Sequence, residues 1–239
     1  MASSPADSAS RRIALVAAAV LAAASCRHAG PVATGLSPEW QLLVAEPQPI
    51  AALYRLECCG QHNLLATVRS GAGTLRLTVA VPPAGIVADS WLTGDDGWFT
   101  RNQGRCVTPI SSRGVPLSDG RWLPLDVGAV DLALSGRVAG GAQPDPAAPG
   151  WLVLDVPGRS LMRWKVVGSP PLVVAVEVGR AGQPASVQAT LAEHHGRVPG
   201  RIAITAGRER ALLVLVEFRS ATEPEPPAWL SARQCSEAP

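Results

Sequence analysis

Apolar residues at every second position are the feature that most constrains how this chain can fold. In the clearest run, residues 74–81, Leu75, Leu77 and Val79 alternate with polar residues such as Arg76. Successive side chains of a strand point to opposite faces, so this spacing predicts strands with one apolar and one polar face. Similar runs recur at residues 152–156, 162–166, 187–191, 202–204 and 212–218. Short turns containing glycine or proline separate them, which predicts a mainly antiparallel sheet of about eleven strands.

Short helices are predicted at two places where the spacing changes. Ser37-Pro38-Glu39 is typical of a helix start, with an N-capping serine, a proline at the first helical position and an acid in the first turn. Residues 50–56 are expected to add a further helical turn or two. Val127, Val130 and Leu134 recur at helical spacing and predict a second short helix in the middle of the sheet.

The N-terminus has the pattern of an export signal. Arg11 and Arg12 precede an apolar run, residues 13–25, that is shorter than the roughly 20 residues of a membrane span. Residues 21–26 resemble the lipobox of bacterial lipoproteins, in which the cysteine, here Cys26, carries acyl chains such as palmitate. The alternative is an ordinary signal peptide with an incidental cysteine. The predicted organisation is a signal peptide at 1–25, a lipidated tether at 26–36, a domain at 37–222 and a proline-rich tail at 223–239.

The composition and the motifs of the sequence argue against nucleic-acid binding, metal binding and enzymatic activity. The net charge of +2 comes without a basic block, so nucleic acid is not an expected partner. No Cys-x-x-Cys pair is present, and the adjacent His194 and His195 would point to opposite faces of a strand, so neither a metal nor a cofactor is predicted. The sequence has no Gly-x-Ser-x-Gly or His-Glu-x-x-His motif, and Asp95 and Asp96 lie in a predicted turn. We therefore expect a protein that is not an enzyme.

Four cysteines remain once Cys26 is set aside, namely Cys58, Cys59, Cys106 and Cys235. An even number in an oxidising compartment suggests two disulfides. A bond between the neighbours Cys58 and Cys59 is strained, so one of that pair is expected to reach Cys106 and the other Cys235. The alternative is that these thiols are free and buried.

Local motifs in the domain resemble one family when taken together. Leu75-Arg76-Leu77 is followed by Pro82-Pro83-Ala84-Gly85, and Leu92 to Phe99 then forms a hairpin pattern. Leu123-Pro124-Leu125, the predicted helix and residues 134–137 follow, and Val198 to Ile202 precedes the last apolar strand. This order resembles the LolB-like outer-membrane lipoprotein receptors and the wider LolA/LolB/LppX superfamily of periplasmic lipid carriers. The resemblance implies an unclosed antiparallel half-barrel with short helices plugging its concave side.

The resemblance also implies a function, which is to bind acyl chains of lipid or lipoprotein cargo in an apolar hollow. A sheet with one apolar face and no second sheet must bury that face in another way, and a hollow under small helices can accept acyl chains. The alternative is a solid core in a structural or assembly lipoprotein that uses the fold as a protein-binding scaffold. The candidate cavity residues are Leu75, Leu77, Val79, Leu152, Leu154, Met162, Trp164, Leu172, Val174, Val176, Leu212, Val214 and Val216.

The resemblance further implies how cargo is received and delivered. A periplasmic LolA-like carrier is the implied partner, and the lipid on Cys26 places the protein in the bacterial cell envelope, at the outer membrane facing the periplasm. The family's Pro-x-Gly loop carries a protruding leucine that delivers cargo to the bilayer. The corresponding loop here consists of Pro83, Ala84, Gly85 and Ile86, with alanine in place of that leucine.

Overall fold

The structure is a computed structural model, and it describes residues 36, 38–44, 49–58, 60–71, 74–93, 96–101, 107–110, 115–116, 122–123, 136–138, 140–155, 161–179, 182–222 and 224–231. One α-helix, α1 (Pro38–Val44), precedes the strands, and a 3-10 helix (Ala228–Ser231) follows them. The strands are β1 (Ile50–Cys58), β2 (Gln61–Gly71), β3 (Thr74–Val81), β4 (Gly85–Thr93), β5 (Asp96–Arg101), β6 (Val107–Ile110), β7 (Val115–Pro116), β8 (Trp122–Leu123), β9 (Gln143–Pro144), β10 (Trp151–Asp155), β11 (Leu161–Val167), β12 (Leu172–Gly179), β13 (Val187–Ala192), β14 (Arg201–Ala206) and β15 (Glu209–Ser220).

Thirteen of these strands form one antiparallel sheet in the order β6-β5-β4-β3-β2-β1-β15-β14-β13-β12-β11-β10-β9, and β7 pairs with β8 separately. Within the described residues β6 and β9 are the two edges of the sheet, so the sheet does not close. The prediction of a mainly β, unclosed antiparallel half-barrel is therefore confirmed. The large sheet has thirteen strands rather than about eleven, and the two-residue strand β9 contributes to the difference.

The prediction of helical turns at residues 50–56 is wrong, because these residues belong to β1. Apolar residues at 50, 53, 54 and 56 fit helical spacing as well as strand spacing. Pairing decides between the two, since β1 lies at the centre of the sheet and forms hydrogen bonds with β2 on one side and β15 on the other. Its alternate residues Ala52, Tyr54 and Leu56 are all buried in the core.

We call the face of the sheet that carries the buried core residues the inner face, and the opposite face the outer face. Cross-strand partners keep this assignment from strand to strand, as in the row Leu56–Leu213–Ile202–Leu191. All the described strands other than the two-residue pair β7–β8 belong to this one sheet. The core residues of the inner face include Ala52, Tyr54, Leu56, Leu64, Ala66, Val68, Leu75, Leu77, Val79, Leu152, Met162, Trp164, Val173, Val176, Val178, Val187, Leu191, Ile202, Ile204 and Leu213.

Helix α1 covers part of the inner face, and the predicted helix start at Pro38 is confirmed. Leu43 is fully buried in the core, while Trp40 and Val44 pack against it. The backbone N–H of Val138 donates to the carbonyl of Leu43 at 3.1 Å, and Arg197 Nη1 donates to the carbonyl of Leu42 at 2.6 Å. These bonds fix the position of a helix too short to be stable alone. The helix predicted around 127–134 lies outside the described residues.

The end of the described chain lies against the outer face of β3 and β4. Trp229 of the 3-10 helix donates Nε1–H to Asp89 Oδ2 at 2.7 Å, and Pro227 before it is buried. Asp89 also accepts hydrogen bonds from Arg76 and Thr78 on the neighbouring strand. A single buried carboxylate thus joins the C-terminal segment to the sheet. None of the described helices is long and apolar enough to cross a membrane.

Candidate functional site on the inner face

The inner face forms a continuous apolar wall because its registers place apolar residues beside one another on successive strands. Leu152, Trp164, Val176, Ala189 and Ile204 are cross-strand partners over five strands from β10 to β14. On the other wing of the sheet Ala66, Val79 and Ala88 form a similar row. Burying such a surface contributes roughly 25 cal/mol per Å² of apolar area removed from water.

Eight of the thirteen candidate cavity residues lie on this wall. Seven of them are at most 2% exposed, and Leu154 is partly buried and packs against the same core. These seven are Leu75, Leu77, Val79, Leu152, Met162, Trp164 and Val176. The structure therefore brings these residues together on one surface. That they line a ligand cavity stays a proposal.

The other five candidates, Leu172, Val174, Leu212, Val214 and Val216, do not lie in the core, and their predicted position on the apolar face is wrong. In β12 the register shifts beside Val166, so Val173 and Val176 both point inward and Val174 does not. In β15 the inward residues are Ala211 and Leu213, which are buried, and Leu215, which is partly buried and packs against the core. The run 211–216 is apolar at every position, so alternation alone could not decide which residues point inward. Val216 is 59% exposed.

Tyr54 is an inner-face residue that the sequence argument missed, because its segment was predicted to be helical. Its side chain is fully buried, and its hydroxyl donates to the carbonyl of Pro199 at 3.3 Å. Burial raises the pKa of Tyr54 well above its usual value, so the hydroxyl stays neutral at physiological pH. The bond connects the centre of the sheet to the loop between β13 and β14.

Two buried polar atoms in the described part of the chain have no hydrogen-bond partner, Ser70 Oγ and Trp164 Nε1. Both belong to the inner face, since Ser70 pairs with Leu75 and Trp164 pairs with Leu152. In contrast, Ser90 on the same face donates to the carbonyl of Leu77 at 3.0 Å. A buried donor without an acceptor is uncommon in native proteins and calls for an explanation.

A cleft of about 390 Å³ lies on the outer face, between β11, β12 and the loop before β13. Its charged centre is Arg163, which donates to Asp145 and to Glu177 at 3.0 Å each and lies 4.5 Å from the ring centre of Trp151. A hydrogen bond from the backbone N–H of Ala147 holds the pKa of Asp145 below its usual range; desolvation opposes this shift and Arg163 adds to it. The arginine is thus neutralised by protein carboxylates.

The described residues contain no cluster of three His, Cys, Asp or Glu side chains that could hold a metal ion. His62 lies 3.8 Å from Glu57 and is largely exposed, whereas a ring nitrogen of His194 lies 2.9 Å from the carbonyl of Val173. His194 and His195 are not part of a regular strand; His195 forms an isolated bridge with Val198. Of the two turn carboxylates, Asp95 lies outside the described residues, and so does the side chain of Asp96.

The candidate delivery loop is the tight turn between β3 and β4, and residues 82–86 are all exposed. Gly85 has φ +91°, which favours glycine at this position, and Ile86 begins β4 with 44% of its surface exposed. The loop extends from the same end of the sheet as the turns β1–β2 and β14–β15.

Cys58 is buried at the end of β1, beside Ala211. No disulfide joins the described residues, and Cys26, Cys59, Cys106 and Cys235 all lie outside them. The two disulfides and their pairing remain a prediction.

Comparison with known proteins gives only a remote likeness to solved structures. No protein-family model matches the chain, and no curated protein matches it. Solved structures similar to it include a DUF1329 family protein from Desulfovibrio piger (11% identity, 78% of this chain and 90% of that chain, TM-score 0.47). A LolA superfamily protein from Nitrosomonas europaea is 10% identical over 82% of this chain and 96% of that chain, with a TM-score of 0.44. Lipoprotein LppX from Mycobacterium tuberculosis is 9% identical over 74% of this chain and 89% of that chain, with a TM-score of 0.29. Likeness at this level does not identify a ligand.

Proposed function

We propose that this chain is a membrane-anchored lipoprotein that binds acyl chains of lipid or lipoprotein cargo against the inner face of its half-barrel. The observation that carries the proposal is a large apolar wall on one face of a single thirteen-stranded sheet, with only the two-residue pair β7–β8 outside that sheet among the described strands. Helix α1 covers part of this wall, so it is the described element that would have to move for an acyl chain to enter there. Transfer of an acyl chain into such a space is favoured by about 0.8 kcal/mol per methylene.

Binding of a neutral apolar dye, N-phenyl-1-naphthylamine, tests the proposal. The parent domain is expected to bind the dye saturably and to release it when a fatty acid is added. Val176→Thr adds a hydroxyl to the buried wall at nearly constant volume and should weaken acyl binding several-fold, because it makes the surface that the acyl chain would contact less apolar. Val214→Thr is the matched control on the outer face and should leave binding unchanged.

Both valine variants must fold as the parent does, which circular dichroism can verify. Absence of dye binding by the parent domain would refute the proposed function. Equal weakening by Val176→Thr and Val214→Thr would show that the wall is not where the chain binds.

The proposed anchor is a lipid on Cys26, which would hold the protein in the cell envelope at the outer membrane facing the periplasm. Cys26→Ala is expected to abolish acylation and to move the protein from the membrane fraction to the soluble fraction, because the acyl chains supply the affinity for the bilayer. Cys58→Ala removes a cysteine outside the lipobox and should leave the protein in the membrane fraction. Mass spectrometry of the purified chains gives the acyl mass. A Cys26→Ala protein that stays membrane-bound with unchanged mass contradicts the anchor.

We also propose that cargo arrives from a periplasmic LolA-like carrier, without any enzymatic step, and that the loop of Pro83, Ala84, Gly85 and Ile86 faces the bilayer at delivery. Exposure of the whole loop supports this role. Alanine in place of the family's leucine lowers the drive for membrane insertion by roughly 2 kcal/mol, at about 0.8 kcal/mol per methylene. The exposed Ile86, two residues later, offers part of the missing apolar surface. We therefore expect cargo binding to be retained while delivery is weak or uses another surface.

One observation favours a second function, a structural or assembly lipoprotein that uses the same fold as a protein-binding scaffold. Seven of the candidate cavity residues are already at most 2% exposed, as they would be in a solid core. Mass spectrometry of lipids that co-purify with the domain separates the two functions, because a scaffold with a solid core would carry none.

A further inference from the structure

The indole of Trp164 and the hydroxyl of Ser70 are the two inner-face groups of the described chain whose buried polar atom has no hydrogen-bond partner, and the indole is the larger. The Trp164 side chain is fully buried, and its Nε1–H has no acceptor. Its partners across the strands are Leu152 and Val176, and its neighbours on the same face of β11 are Met162 and Val166. A water molecule needs two to four polar partners to be held in a cavity, and these four side chains provide none. The N–H therefore points to an acceptor that brings its own apolar body.

The charges around the wall restrict what that acceptor can be. The buried polar or charged side chains in the described part of the chain are Ser70, Asp89, Ser90 and Thr100. Asp89 and Thr100 are cross-strand partners on the outer face, where Asp89 accepts from Arg76, so the buried polar groups of the inner face besides Trp164 are the two serines and the hydroxyl of Tyr54, all of them uncharged. With no buried cation on that face, an ionised carboxylate would lose its water without gaining a counter-charge. A neutral carbonyl loses much less hydration energy, and the indole N–H replaces the hydrogen bond that it gives up.

We infer that Trp164 Nε1 donates a hydrogen bond to a neutral carbonyl of the cargo, so that the site selects acyl esters or amides over free fatty acids. The inference rests on the proposed function, since it assigns a ligand group to the same apolar wall. A carbonyl attached to an acyl chain satisfies the buried N–H while its hydrocarbon contacts Leu152, Met162 and Val176. Hydrogen bonds between neutral groups contribute modestly, so the expected discrimination is about 5-fold per bond.

Trp164→Phe removes the donor and keeps an aromatic ring in the wall. In dye displacement, we expect this variant to bind methyl laurate about 5-fold more weakly than the parent does. Its affinity for tridecane, a hydrocarbon of similar length, should stay within about 2-fold of the parent's. Trp151→Phe is the matched control, because Trp151 lies on the adjacent strand with its ring over Arg163 on the outer face. Trp151→Phe should change the affinity for neither probe. Laurate should bind the parent more weakly than its methyl ester at neutral pH.

A measurement on the parent protein keeps the inference testable even if Trp164→Phe does not fold. With ¹⁵N-labelled tryptophan, methyl laurate should shift one indole N–H resonance downfield, as a new hydrogen bond does, and tridecane should not. If neither probe displaces the dye from the parent, the proposed function itself fails. If both bind but no indole signal responds to the ester, or Trp164→Phe weakens both probes equally, only the assignment to Trp164 fails.

Discussion

Asp89→Ala is expected to lower the free energy of unfolding by about 3 kcal/mol, the lower end of the range for breaking a buried ion pair. Asp89 is 3% exposed and accepts four hydrogen bonds, from Arg76 Nε (3.2 Å) and Nη2 (2.7 Å), Thr78 Oγ1 (2.9 Å) and Trp229 Nε1 (2.7 Å). Its removal leaves these donors without their acceptor. Arg76 is partly exposed and can recover some hydration, which is why the lower end of the range applies.

Glu177→Ala provides the matched control for Asp89→Ala in urea-induced unfolding. Glu177 also pairs with an arginine of the neighbouring strand, Arg163, at 3.0 Å on the outer face, but both side chains are about a quarter exposed. Ion pairs with this exposure contribute about 0–1 kcal/mol to stability, so we expect Glu177→Ala to lower the free energy of unfolding by less than about 1 kcal/mol. Trp229→Phe should fall between the two variants, because it removes one charge-assisted bond. Equal losses for Asp89→Ala and Glu177→Ala would contradict the importance assigned to burial.

Gly136→Ala is expected to destabilise the domain by about 3 kcal/mol, whereas Gly196→Ala should cost only about 1–2 kcal/mol. The two glycines have nearly the same backbone conformation, with φ of 64° and 63°. They differ in space, since a methyl group at Gly136 would collide with the backbone carbonyl of Arg197 and one at Gly196 would meet nothing. The pair therefore separates the cost of left-handed backbone from the cost of a close contact.

Thermal or urea unfolding of both glycine variants, followed by circular dichroism, measures this difference. If the backbone conformation alone required glycine, the two variants would be destabilised to the same extent. A larger loss for Gly136→Ala would show that residues near 136 must pack tightly against the loop between β13 and β14. That loop also binds α1 through Arg197, so its position affects the cover of the inner face.

The sequence predicts the fold class best where strands have one apolar and one polar face. β3 is such a strand, and its Leu75, Leu77 and Val79 lie on the inner face as the alternation indicates. The same rule fails in β15, where Leu212 and Leu213 are equally apolar and only pairing with Leu56 and Ile202 turns Leu213 inward. Where pairing with strands distant in the sequence decides which residues point inward, the local sequence does not indicate the choice.

The groups that give the structure its specific contacts were also the hardest to predict. Asp89 lies in a strand whose sequence gives no reason to expect a buried carboxylate, and one of its donors, Trp229, is 140 residues away in the sequence. The lack of an acceptor for Trp164 Nε1–H was hard to predict for a similar reason. Trp164 could be placed on an apolar face from the alternation of β11, but the lack of a partner emerges only when the neighbouring strands are in register.

If the chain is exported as proposed, the pairing of β1 with β15 has a consequence for how it matures. Each wing of the sheet is built from hairpins between strands close in sequence, which form with little loss of chain entropy. The seam between the wings joins the first strand of the domain to the last. A polypeptide that crosses a membrane from its N-terminus cannot complete this seam until residues 209–220 have been translocated. Truncation before β15 would therefore remove the middle of the sheet rather than an edge and expose two unpaired strands, which are sites of aggregation.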